Sequence, residues 1–137
     1  MPKKIAFLPV FLFILLTYSC RQKPEFSLVD RWKMIGDSQV MYFDSDTSLI
    51  WLIQNEFLED TFIAEYKIDT NKLPMTLDVY NFNRGILKDK ILVGIVKPYG
   101  NDTLLIDFTP IDDWPQADSI RPKSFNPEEM KYLVRIK

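Results

Sequence analysis

From Asp30 onward, apolar and polar residues alternate with a period of two, the pattern of strands with one buried face, and not with the 3.6-residue period of helices. Arg31–Ile35 sets Trp32 and Met34 against Arg31 and Lys33. Gln39–Phe43 is a second β-rich run, and the polar turn Asp44-Ser45-Asp46-Thr47 separates it from the strongly apolar Ser48–Gln54. After a charged turn at Asn55–Asp60, Thr61–Ile68 places Phe62, Ala64, Tyr66 and Ile68 opposite Glu65 and Lys67. Met75–Tyr80 and Thr103–Thr109 alternate in the same way. Lys90–Lys97 is apolar between its end lysines, as expected of a strand covered on both faces. Lys131–Ile136 is the last strand of the series.

The connections are mostly hairpin-length, with turn residues at Asp69–Pro74 and at Pro98-Tyr99-Gly100-Asn101-Asp102. The exception is the proline-bearing loop Pro110–Phe125. It leads into Asn126-Pro127-Glu128-Glu129, where a cap residue, a proline and two acids predict the start of a short helix. About eight strands joined by short turns predict an all-β domain, a sandwich or an up-and-down antiparallel barrel, with one short helix near the C-terminus. Short connections favour a meander, and a closed meander leaves no sheet edge free.

The first 29 residues do not follow this pattern. Lys3 and Lys4 precede the apolar run Ile5–Leu16, which Arg21-Gln22-Lys23 ends abruptly. A charged start, an apolar stretch of about a dozen residues and a small residue before the cut describe a secretory signal, and the run is short for a membrane-spanning helix. Leu16-Thr17-Tyr18-Ser19-Cys20 resembles the lipobox of bacterial lipoproteins, in which the cysteine receives the lipid and becomes the first mature residue. The expected division is therefore a signal over 1–19, a lipidated tether over 20–29 and a barrel domain over 30–137. Cys20 would attach the protein to the membrane of a bacterial cell envelope, with the outer membrane as the expected location. Attachment through more than one acyl chain is stable where a single chain is marginal.

Composition narrows the chemistry. The chain has 137 residues, one cysteine and no histidine. That excludes a Ser-His-Asp triad, a Cys-His pair, an imidazole metal site and an internal disulfide. No base and nucleophile pair points to a hydrolase, so no enzymatic activity and no cofactor are expected. The 17 Lys and Arg, less Lys3 and Lys4, against 19 Asp and Glu leave the mature domain a net charge near −4. Without clustered basic residues, nucleic acid is not an expected partner.

A family resemblance runs through the mature domain. Tyr66-Lys67-Ile68-Asp69, the polar turn that follows, and Pro74-Met75-Thr76-Leu77-Asp78 resemble a segment of an uncharacterised lipocalin-like family expanded in planctomycetes. Gly94-Ile95-Val96, Asn101-Asp102-Thr103-Leu104, Arg121-Pro122-Lys123-Ser124-Phe125 and the early Trp32 follow in the family's order and spacing. The family pattern differs in having glycine at Asp30, lysine at Met75 and an aromatic at Val96. The resemblance implies a small lipocalin-like antiparallel barrel and brings no known activity. In such barrels an early tryptophan plugs one end and a basic residue of the last strand lies across it. Trp32 and Arg135 stand in the first and last strands and become neighbours only if the sheet closes, where a guanidinium over an indole contributes about 0.5–2 kcal/mol.

Few other residues suggest chemistry. Asp44-Ser45-Asp46-Thr47-Ser48 opens like a calcium loop, but Leu49 and Asn55 stand where glycine and glutamate would be needed, so a hairpin turn is expected. Asp112, Asp113 and Asp118 could gather as a carboxylate cluster, and a solvated loop around Trp114 is the simpler reading. Asp69 is expected to cap its turn. Arg121 could reach the barrel mouth to bind an acidic headgroup, or pin the long loop by pairing with Asp112, Asp113 or Asp118. Trp51, Tyr66, Tyr80, Tyr99 and Trp114 could line a pocket or a rim, although strand aromatics are usually core. With short strands, four glycines and alanines only at Ala64 and Ala117 in the mature chain, a large interior cavity is not expected. The functional expectation is a lipid-anchored envelope barrel that binds a small apolar or amphipathic molecule. The alternative is a packed, ligand-free barrel whose loops Asn55–Asp60 and Ile111–Phe125 contact another envelope protein.

Overall fold

The computed structural model describes residues 26–54 and 59–137. The expected signal over 1–19, Cys20 and most of the Asn55–Asp60 turn lie outside the described residues. The rest forms a closed antiparallel barrel of eight strands in chain order. These are β1 (Asp30–Met34), β2 (Gln39–Phe43), β3 (Ser48–Gln54), β4 (Glu59–Asp69), β5 (Met75–Tyr80), β6 (Ile91–Pro98), β7 (Thr103–Ile111) and β8 (Lys131–Arg135). Every neighbour in sequence is a neighbour in the sheet, and closure comes from β1 pairing with β8 through Trp32 with Arg135, Lys33 with Val134 and Met34 with Leu133. This is the all-β, lipocalin-like meander that the period-two pattern and short turns predict.

The alternation along each strand decides what points inward. Trp32, Met34, Met41, Phe43, Leu49, Phe62, Ala64, Tyr66, Leu77, Val79, Leu104, Ile106 and Leu133 are all buried and pack as one cluster filling the barrel. Phe43 and Tyr66 meet edge to face at 4.8 Å inside it. Gly94 faces inward on β6, where a Cβ would lie 2.3 Å from the Phe108 ring and 2.5 Å from the Asp107 carbonyl. A glycine is therefore required by close packing between β6 and β7, not by backbone conformation.

A second, smaller cluster lies on the outer face of β5–β7, where Ile91, Val93 and Ile111 are buried beneath Ala117. The cover is the segment from Asp112 to Met130, which crosses this face before entering β8. Lys90–Lys97 thus reads as apolar because its strand is covered on both sides.

The short helix lies elsewhere than expected. A 3-10 turn at Trp114–Gln116 runs into α1 (Ala117–Ile120), begun by a proline and ended at Arg121, whose extended backbone is what a following Pro122 favours. Asn126–Glu129 makes a single turn instead: the Asn126 side chain accepts the Glu128 N–H at 3.1 Å, and its carbonyl accepts the Met130 N–H at 2.8 Å. The cap residues act as expected, but β8 begins at Lys131 and leaves no room for a second turn. β7 also runs further than expected, through Pro110. That proline lies beyond Ile106, the last β7 residue paired with β8, so β7 has one sheet partner there and can accommodate a residue without an N–H.

Candidate functional site

Trp32 and Arg135 meet at one end of the barrel. The Arg135 guanidinium stands 4.8 Å above the Trp32 ring, donates to Asp30 at 3.0 Å and lies 3.6 Å from Asp102. The Trp32 indole N–H donates to the Leu28 carbonyl at 2.8 Å, which ties the entering chain across the same end. The arrangement closes the barrel and leaves no reactive group free.

Arg121 pins the long segment, but to a different partner from those expected. Its guanidinium makes a two-pronged pair with Asp78 (the second bond 3.0 Å) and donates to the Gly94 carbonyl at 2.9 Å. Both side chains are largely out of water, and Asp112 instead pairs with Lys90 at the surface. The registers explain the choice: Asp78 and Val93 are opposite one another on the outer face that the segment covers, whereas Asp112, Asp113 and Asp118 belong to the segment itself. A second buried carboxylate, Asp107, lies on the same outer face, accepting the Asn126 N–H at 3.0 Å through one oxygen while the other has no partner. Its signal in the sequence is an acid inside the apolar run Leu104–Phe108. Together the two acids hold the middle and the later part of the segment.

The remaining candidates have structural places. The Ser45 hydroxyl accepts the Ser48 N–H at 3.2 Å in the β2–β3 turn, and Asp69 accepts the Asn71 N–H at 2.9 Å. Among the described residues no three carboxylates gather to hold a cation. Trp51 donates to Gln39 at 2.9 Å, and Tyr80 meets Trp114 edge to face at 5.2 Å with Lys67 over the indole. The Tyr66 hydroxyl donates to the Ser45 carbonyl at 2.7 Å. Burial, and secondarily the Asp46 carboxylate, pushes the Tyr66 phenol up to about 12.

Two clefts open at one end of the barrel, the end bearing the β2–β3, β4–β5 and β6–β7 turns. One, of about 560 Å³, lies between the entering residues Phe26–Leu28, the β2–β3 turn and β4. The other, of about 510 Å³, lies between the β4–β5 turn, the end of β6 and residues 123–125 of the covering segment. Leu73, Pro74, Met75 and Phe125 give it an apolar lining, and Lys97 and Lys123 add two ammonium groups. The sequence reading missed this cleft because its walls come from three separate parts of the chain. Arg121, the residue singled out for a headgroup, is committed to Asp78 and Gly94. Comparison with protein-family models, with curated proteins and with solved structures finds no match for this chain.

Proposed function

We propose that the chain is a lipid-anchored, cell-envelope, lipocalin-like protein that binds a small apolar or amphipathic molecule in the cleft beside Phe125. The observation that carries this reading is the apolar lining of that cleft together with Lys97 and Lys123. Its volume falls within the usual range of small-molecule sites. An acyl or aryl body would lie against Leu73, Met75 and Phe125, and an acidic group would meet the two lysines. The barrel interior, filled by its own side chains, has a supporting role and is not the binding chamber.

Titration with the amphipathic anion 1-anilinonaphthalene-8-sulfonate, competed by dodecanoate, tests the reading. Phe125→Ala and the double change Lys97→Gln with Lys123→Gln should each weaken binding several-fold. Binding that is indifferent to all three changes would reject the site.

The second reading, a partner-binding module, is favoured by a different surface from the loops expected. The segment Ile111–Phe125 is folded against the barrel, while Leu52 and Ile63 are exposed on the outer face of β3 and β4. A pull-down with envelope extract that is abolished by Leu52→Lys and Ile63→Lys would support it.

A further inference from the structure

We propose that the barrel end carrying the two clefts docks against an anionic lipid bilayer. The inference rests on the reading of Cys20 as a lipid attachment site and adds an orientation to it. Three observations point to the same end.

The first is apolar exposure on adjacent turns. Leu73 in the β4–β5 turn is 97% exposed and Tyr99 in the β6–β7 turn is 61% exposed. The pairing of Met75 with Val96 brings the two turns side by side. A leucine this exposed at a turn tip buries little surface in the fold, and beside an aromatic it matches the composition of membrane-interface anchors.

The second is charge. Lys72, Lys97 and Lys123 are exposed around the same turns, and among the described residues none of them pairs with a carboxylate. Of the neighbouring acids, Asp102 faces Arg135, which leaves Asp69 alone against the three lysines. Asp44 and Asp46 lie on the β2–β3 turn of the same end, where Asp46 lines the other cleft. Although the chain is acidic as a whole, this corner is basic, which suits an anionic headgroup layer.

The third is reach. Phe26 and Leu28 line the cleft at this end, and Cys20 precedes Phe26 by six residues. Six residues span at most about 22 Å when fully extended. A lipid on Cys20 would therefore hold this end close to the bilayer. The connection between β5 and β6, with Ile86 91% exposed, would point away from it. A cleft held at the bilayer surface would draw its amphipathic occupant from the membrane.

The lone cysteine makes a direct test practical. Once Cys20 is acylated, Leu73→Cys or Ile86→Cys supplies a single free thiol for an environment-sensitive fluorophore. The full-length protein is reconstituted into phosphatidylethanolamine–phosphatidylglycerol vesicles, and its intact mass reads the acylation separately. The expected result is a blue shift and quenching by nitroxide-labelled phospholipid at position 73, with position 86 remaining in water. Lys97→Gln with Lys123→Gln, or replacement of phosphatidylglycerol by a neutral lipid, should reduce the shift. An acylated protein whose position-73 fluorophore stays in water, or whose position-86 fluorophore is the one quenched, overturns the docking while leaving the anchor intact. If the mass shows no acylation, the anchor reading falls, and the measurement is made on the Cys20→Ser protein. Quenching at position 73 there sustains docking without an anchor, and its absence removes both.

Discussion

The outer surfaces of β3 and β6 arise from similar sequences and meet opposite fates. Both strands read as apolar runs, Ser48–Gln54 and Ile91–Pro98. On β6 the outward residues Val93 and Ile95 are fully buried, covered by the segment that carries α1. On β3 the outward Ile50 and Leu52 lie beside Ile63 of β4 without a cover among the described residues, and Leu52 is 39% exposed. An apolar run therefore establishes that one face belongs to the core and leaves the other undecided. The difference lies in polar anchors: the covered face holds Asp78 and Asp107, each meeting a group on the covering segment, whereas outward positions 50, 52 and 63 offer none.

Breaking the anchor on the covered face should have the largest effect. Arg121→Ala leaves Asp78 buried without its cation and is expected to cost about 3–5 kcal/mol in urea unfolding. The double change Asp78→Leu with Arg121→Met should recover most of that loss, because the cost comes from the uncompensated charge and not from the missing attraction. A single change as damaging as the double would mean that the pair acts through geometry instead.

The strand beneath the cover comes next. Gly94→Ala forces a methyl group toward the Phe108 ring and the Asp107 carbonyl, and should cost about 1–3 kcal/mol, measured the same way. Substitution of a glycine in an exposed turn, such as Gly36→Ala, acts through its positive φ and not through a clash, since nothing lies within 4 Å of a Cβ there.

Alkaline pH probes the barrel interior, where the buried Tyr66 ties β4 to the β2–β3 turn. The phenol carries its proton up to about 12 in the folded protein and releases it near 10 when unfolded. Between those values the folded state binds more protons, so this contribution to stability is complete below 10 and is lost as pH rises toward 12. Tyr66→Phe should flatten the decline in that window, as read from thermal unfolding at a series of pH values.

The smallest effect is expected on the open face. Leu52→Lys and Ile63→Lys should each change stability by no more than about 0.5 kcal/mol, because those side chains already reach water. Val93→Lys, at the corresponding outward position of the covered face, should cost several times as much. Equal costs at Leu52 and Val93 would erase the contrast.

Much of the barrel was legible before any tertiary information. Period-two alternation depends on each strand having an inside and an outside, a local property, so strand positions and the meander follow from it. Asn126 was likewise legible as a cap, because the hydrogen bonds it accepts reach only two to four residues along the chain. The length of the helix there was not, because the start of β8 decides it. The partner of Arg121 was hidden for a similar reason: Asp78 lies 43 residues away, and nearer acids competed for it on paper.

The amino-acid sequence by itself determined the eight-stranded all-β plan, the inward residues and a chemistry without histidine. Only the tertiary structure decided which apolar strand would be covered on its second face, where Arg121 would be neutralised and that a basic, apolar cleft would form at one end. The physical reason is range. Alternation and turn chemistry act between near neighbours, whereas burial of a charge or the walls of a cleft require residues far apart in the chain to meet on a closed sheet.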